Sequence, residues 1–260
     1  MTSLFHYTDI GAASSIIQNG ALWLTHLRYL NDREELNEGI KFLTEWFELQ
    51  ELIGYSDQHK EKAFEFFKGA FKAHTRFGYK RMPLFCCSLS KEGDLLSQWR
   101  GYGNIAVEFD RAALESELNL FDCVYSKPDK ENLAGTLCEG VHDALSSCLE
   151  KQGSISVDAL GAYTDILTAS ARFKDASFAE EAEVRIVHTE PLDSGEVRFR
   201  VRGNYLVPYV VKGIPHTAIR SIRVGPSANQ QLVADSLNDL VNAVGDSTIP
   251  IVKSEIPFRA

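Results

Sequence analysis

The chain has 260 residues, with 27 Lys plus Arg against 36 Asp plus Glu, and 44% of its residues are hydrophobic. Such values suit a globular protein with a sizeable core and exclude a basic nucleic-acid coat, a disordered tail and, with no apolar run of roughly 18 residues, a membrane protein. The net charge of −9 argues against a surface that grips anionic polymers as a whole, while leaving room for a local basic patch.

The first predicted element is a short strand, Leu4-Phe5-His6-Tyr7-Thr8. Thr8 or Asp9 can cap a helix through Ala12 to Ile17, which Asn19-Gly20 terminates. Ala21 to Thr25 reads as a second strand, and the polar turn Asn31-Asp32-Arg33-Glu34-Glu35 opens a helix with Leu36, Ile40, Leu43 and Phe47 on one stripe. Another helix begins near Ser56-Asp57 and carries Ala63, Phe64, Phe66, Phe67, Ala70 and Phe71 as core. From Met82 the period changes. Residues 82–89 and 105–109 read as strands, separated by a short helix and glycine-rich loop over 93–104. Residues 129–173 are mostly helical, with a break at Gln152-Gly153-Ser154. Strands follow at 183–188, 197–201, 205–211 and 219–224. Ser227 and Gln230 form a predicted capping box for a helix ending at Gly245, and Ile249 to Val252 is the last strand. The pattern predicts one α+β domain over 1–260, with helical insertions at about 33–80 and 129–173 and terminal strands in a shared sheet.

The N-terminus shows no secretory signal, and five cysteines without CxxC spacing suit reduced thiols, so a cytoplasmic location is expected. No pair of cysteines or histidines has ligand spacing, and no metal is expected. Cys86 and Cys87 lie in an apolar run and read as small buried hydrophobes.

Four clusters carry possible chemistry. Glu181, Glu183 and Arg185 would share one face of a strand, either as a solvated edge pair or as a functional group set. His6 and Tyr7 sit in the first strand, where packing and catalysis are both open. Trp99-Arg100-Gly101-Tyr102-Gly103-Asn104 suits a loop that stacks on a flat ring, or a surface turn with an anchoring Trp. Arg198, Arg200 and Arg202 alternate with apolar residues. From Gly195 to Gly225 six basic residues face one acid, a sign reversal that can hold phosphates or mark a solvated face. No GxGxxG after the first strand, Walker, HExxH or GxSxG motif is present.

Taken together, these segments resemble a bacterial domain-of-unknown-function family, family 2971. The resemblance rests on Leu4 to Thr8, Gly20 to Trp23, Asn31 to Glu34, Phe85 to Ser88, Gln98 to Tyr102, Glu181 to Arg185, Ile222 to Pro226 and Ser254 to Arg259. The opening also resembles ADP-ribosyltransferases of the histidine type. That likeness implies split antiparallel β-sheets flanked by inserted helices, with NAD as substrate and an acceptor macromolecule, protein or nucleic acid, as partner. It further implies an ADP-ribosyltransferase or NAD glycohydrolase acting as a toxin or defence effector, away from membranes. On this resemblance Glu183, Glu181 and His6 are the catalytic candidates. His6, Tyr7, Thr8, Ser88, Trp99, Arg100, Tyr102 and Arg185 are the NAD-binding candidates. Tyr7 or Tyr102 would stack on nicotinamide, and Arg100 or the arginine strand would hold the pyrophosphate. The alternative is a non-catalytic protein that binds nucleotide or nucleic acid through the basic strand 197–223.

Overall fold

A computed structural model of the chain describes residues 2–30, 34–53, 83–152, 167–245 and 248–258, with isolated positions at 61–62, 64–65, 68–69, 72 and 164–165. The predicted turn at 31–33, most of the helix expected after Ser56, Met82, the break at 153–154 and Arg259 lie outside the described residues.

Strand β1 (Ser3–Thr8) leads into α1 (Ile10–Asn19), where Asp9 is the cap because its Oδ1 accepts from the Ala12 amide at 2.9 Å. Gly20 ends the helix at φ 56°, a left-handed conformation that favours glycine, and its N–H closes on the Ile16 carbonyl. Strand β2 (Ala21–His26) follows, then α2 (Glu34–Ile53), whose predicted stripe buries Leu43 and Phe47. The middle of the chain carries β3 (Leu84–Ser90), α3 (Leu96–Tyr102), β4 (Ile105–Asp110), α4 (Arg111–Glu115), β5 (Leu120–Asp122) and α5 (Lys127–Gln152). The remainder supplies β6 (Glu183–Thr189), β7 (Arg198–Arg202), β8 (Tyr205–Gly213), β9 (Ile219–Val224), α6 (Gln230–Ala243) and β10 (Ile251–Lys253).

The architecture is mixed α and β on one sheet rather than split sheets. The ten strands run β10-β9-β4-β1-β3-β2-β8-β7, with β6 beside β3 and β5 beside β6. All pairings between these strands are antiparallel except that of β9 with β10. Alternation along each strand divides the core. Leu4, Leu22, Leu24, Phe109, Val184 and Ile222 pack with α1 and α6 on one side. Leu84, Cys86 and Val187 meet Leu43, Phe47 and Phe173 on the other, and Phe5 and Tyr7 meet Trp99 of α3. Among the described residues no helix is long and apolar enough to cross a membrane.

Two local expectations change. The capping box at Ser227 does not form: α6 starts at Gln230, and the Ser227 hydroxyl is buried with no hydrogen-bond partner among the described residues. The Gln230 amide nitrogen is instead 3.1–3.2 Å from the carbonyls of Val224, Gly225 and Ser254, so it ties β9 to the C-terminal segment and does not reach back to its own cap. Glu181 is not on a strand. It ends a 3-10 helix (Ala176–Glu181) begun by the Asp175 cap, and Ala182 at φ 43° interrupts the extended backbone before β6.

Candidate active site

Strand β3 creates the site by having two different neighbours along one edge. Its other edge is paired with β6 from Leu84 to Ser90. On the open edge, β2 pairs only at Phe85 and Cys86, and β1 pairs only at Ser90. The sheet therefore forks: β1 leads to β4, β9 and β10, and β2 leads to β8 and β7. Cys87, Ser88 and Leu89 face the fork without a partner strand. An unpaired carbonyl inside a protein needs a donor, and the His6 ring supplies it, with Nδ1 2.9 Å from the Ser88 oxygen. A carbonyl only accepts, so Nδ1 carries the proton and Nε2 is left as an acceptor. Burial pushes the His6 pKa down, opposed by the bond to Ser88, and the ring is neutral at physiological pH.

A cavity of about 520 Å³ occupies the fork, a size typical of small-molecule sites. His6, Tyr7 and Thr8 of β1 line one wall, joined by the start of α1 and by Gln98 and Tyr102 of α3. Trp23 and Thr25 of β2 with Arg200 and Arg202 of β7 form another, and residues 86–90, Glu181 and Glu183 complete it. Gly103 lets α3 lie against β1: a Cβ there would meet the Thr8 carbonyl oxygen at 2.4 Å, and its φ is 130°.

Glu183 and Arg185 do not form a solvated edge. Strand β6 is covered by β3 and β5, and the two residues are 5% and 1% exposed. Arg185 grips the Glu183 carboxylate through Nε at 2.7 Å and a second guanidinium nitrogen at 3.1 Å. Lys174, itself buried, places Nζ 2.6 Å from both Glu183 and Glu181. Burial would raise the Glu183 pKa, but Arg185 and Lys174 override it and hold the carboxyl ionised, well below its usual range. Two acids and two bases make this cluster neutral in sum, which limits the cost of burying it.

Of the residues expected at the site, His6, Tyr7, Thr8, Ser88, Tyr102, Glu181 and Glu183 line this one cavity, whereas Trp99, Arg100 and Arg185 do not. Trp99 is buried edge-on against Tyr7, with Nε1 donating to Asp94 at 2.8 Å. Arg100 is exposed on α3. Arg185 sits behind Glu183 and acts through it. Tyr7 is an anchor as well as a lining residue: its hydroxyl donates to the Glu92 carbonyl and accepts from the Leu95 amide, and burial pushes its pKa up to about 12. Tyr102, 39% exposed, is the aromatic presented to the cavity from α3. Cys86 and Cys87 are buried thiols, and burial followed by the Glu183 charge raises Cys87 to about 12, which suits packing and not nucleophilic attack.

Two contributors, Lys174 and Gln98, escaped the reading of the sequence as site residues, and Arg200 was read there only as one of the arginine strand. Lys174 reaches Glu183 from a segment with no motif, so nothing local marked it. Arg200 was visible only as part of a basic stripe. In the fold its guanidinium sits about 5.8 Å above the Trp23 ring and 5.9 Å above the Tyr209 ring, and it donates to Thr25 Oγ1 at 2.9 Å. No described carboxylate lies within ion-pair distance of it. Gln98 was legible only as a polar residue one turn before Tyr102. Comparison of the chain with family models, curated proteins and solved structures returned no match.

Proposed function

We propose that the protein cleaves NAD and transfers ADP-ribose to an acceptor, as ADP-ribosyltransferases do, or to water, as NAD glycohydrolases do. The observation that carries this reading is that His6, Tyr102, Glu181 and Glu183 line one cavity together with Arg200, a guanidinium with no carboxylate at ion-pair distance among the described residues. In this reaction the nicotinamide–ribose bond breaks with its electron pair going to nicotinamide, and positive charge develops on the ribose. A carboxylate held ionised and immobile beside that carbon stabilises the charge without reorganising, the largest single contribution in many enzymes. Glu183 has those properties through Arg185 and Lys174. His6, neutral with Nε2 as an acceptor, takes a hydrogen bond from a ribose hydroxyl. The acceptor nucleophile bonds to the ribose carbon and gives its proton to Glu181, the more exposed of the two acids. Arg200 holds the diphosphate, with the planar fork that matches phosphate oxygens. Incubation with NAD and measurement of free nicotinamide tests the reaction. Release by the wild type and its loss in Glu183→Gln is the expected result; equal rates in the two overturn the assignment.

A second reading, non-catalytic binding of nucleotide or nucleic acid, draws on β7 as the last strand of the sheet with Arg198 and Arg202 exposed. It expects oligonucleotide affinity that falls steeply with salt, and no release of nicotinamide.

A further inference from the structure

Gln98 and Tyr102 stand four residues apart on α3, the spacing that places two side chains on one helix face, and both line the fork cavity. Gln98 is only 6% exposed, yet its side-chain amide has no hydrogen-bond partner among the described residues. A carboxamide has two N–H donors and an acceptor oxygen, and native interiors almost always satisfy such groups. This one gives up most of its water, keeps what exposure it has toward the cavity it lines, and receives no hydrogen bond from the described residues. A hydrophobic residue of similar size, such as leucine, would pack at the same place without that cost, so folding by itself does not favour glutamine here.

We infer that Gln98 is a specificity-determining residue that reads the edge of a planar nitrogen heterocycle lying beside Tyr102. The complementary edge carries one donor next to one acceptor, because the amide then pairs at both of its ends. Two parts of a dinucleotide offer it: the carboxamide of nicotinamide, and the amino group and N7 of adenine, an edge that becomes two acceptors in hypoxanthine. An analogue that presents two acceptors instead leaves the Gln98 oxygen facing another oxygen and is rejected. The inference rests on the NAD reading for its choice of ligand, and it is independent of whether the bond is cleaved.

The test uses calorimetric binding and thermal unfolding of the full chain, wild type and Gln98→Leu. Three probes serve: NAD, nicotinic acid adenine dinucleotide, in which a carboxylate replaces the carboxamide, and nicotinamide hypoxanthine dinucleotide, in which a carbonyl replaces the adenine amino group. The expected result has two parts. Gln98→Leu melts at the wild-type temperature or above it, because an unpaired buried amide has gone, and it binds NAD roughly tenfold to a hundredfold more weakly. The wild type discriminates against one of the two analogues, which identifies the edge that is read, and the variant loses that discrimination. Equal NAD affinity in wild type and variant overturns the role of Gln98 while leaving the NAD reading intact. A marked fall in melting temperature also overturns it, because the amide then has a structural duty. Binding of NAD that depends on Gln98 without nicotinamide release rejects the reaction and keeps the recognition. A wild type that binds none of the three probes rejects both.

Discussion

Two carboxylates in this protein are each held between an arginine and a lysine, and they differ chiefly in burial. Glu183 is enclosed with Arg185 and Lys174 at the stem of the fork. Asp122, on the neighbouring strand β5, is gripped by both terminal nitrogens of Arg111 at 3.2 and 3.0 Å and by Lys91 at 2.6 Å, but its side chain is 41% exposed. The ion-pair chemistry is the same, and the consequences are not. Water can replace a lost partner around Asp122, and its ion pairs are screened. Glu183 is only 5% exposed, so water compensates a lost partner poorly there and a buried charge is left underpaired. The buried trio is therefore rigid and vulnerable, and rigidity is what a charge-stabilising carboxylate requires.

Breaking the buried member has the largest effect. Glu183→Gln is expected to cost about 3–5 kcal/mol of unfolding free energy, because Arg185 and Lys174 lose their shared counterion. It should also reduce nicotinamide release by roughly a hundredfold or more. Urea unfolding alongside the nicotinamide assay separates the two losses. A variant that stays folded and fully active removes Glu183 from the reaction.

Arg200→Ala acts on the ligand more than on the fold. The expected outcome is a rise in KM for NAD of about tenfold to a hundredfold, the equivalent of one lost charge-assisted contact, with a loss of about 1 kcal/mol of stability from the contacts to Trp23, Tyr209 and Thr25. Initial rates over a range of NAD concentrations decide this.

Protonation probes the fork from the His6 side. The folded ring has a pKa below the ordinary 6.5, so between those two values the unfolded chain binds the proton and the folded one does not. Stability contributed by this site is complete above about pH 7 and falls as pH drops through 6.5, by at most about 1.4 kcal/mol per pH unit. In His6→Asn the difference in urea midpoint between pH 7.5 and 5.5 should shrink relative to the wild type. An unchanged difference would show that His6 titrates normally.

The smallest effect belongs to the exposed trio. Arg111 lowers the Asp122 pKa to about 2, against burial and with further help from Lys91. Even so, Asp122→Asn should cost only about 0.5–1 kcal/mol after solvent screening, and high salt should reduce the difference further. A loss equal to that of Glu183→Gln would erase the contrast between the two clusters.

Most strands and helices were legible in the sequence because their signals are local. Asp9 and Gly20 bracket α1 as the cap residues predict, and Leu43 and Phe47 bury the stripe read for α2. The failures are equally local in origin but tertiary in cause. Ser227 lost its capping partner because Gln230 is drawn to carbonyls of two other segments. Glu181 left the strand because Asp175 starts a helical turn just before it. The candidate site was legible as residue types in chain order, namely His6, then Tyr102, then Glu181 and Glu183.

The sequence alone determined the alternation of apolar and polar positions, the caps of α1 and the reversal of charge from Gly195 to Gly225. It also marked His6, Tyr102 and Glu183 as chemically notable. Only the tertiary structure decided that β1 and β2 share one edge of β3 and part from each other, which opens the cavity. Likewise, only the fold decided that Lys174 locks Glu183, that Arg200 rather than Arg100 faces the cavity, and that the Gln98 amide lines it without a hydrogen-bond partner among the described residues. The physical reason is that pattern and propensity act over a few residues. Cavities, ion clusters and unsatisfied polar groups depend instead on which distant strands meet and in what register.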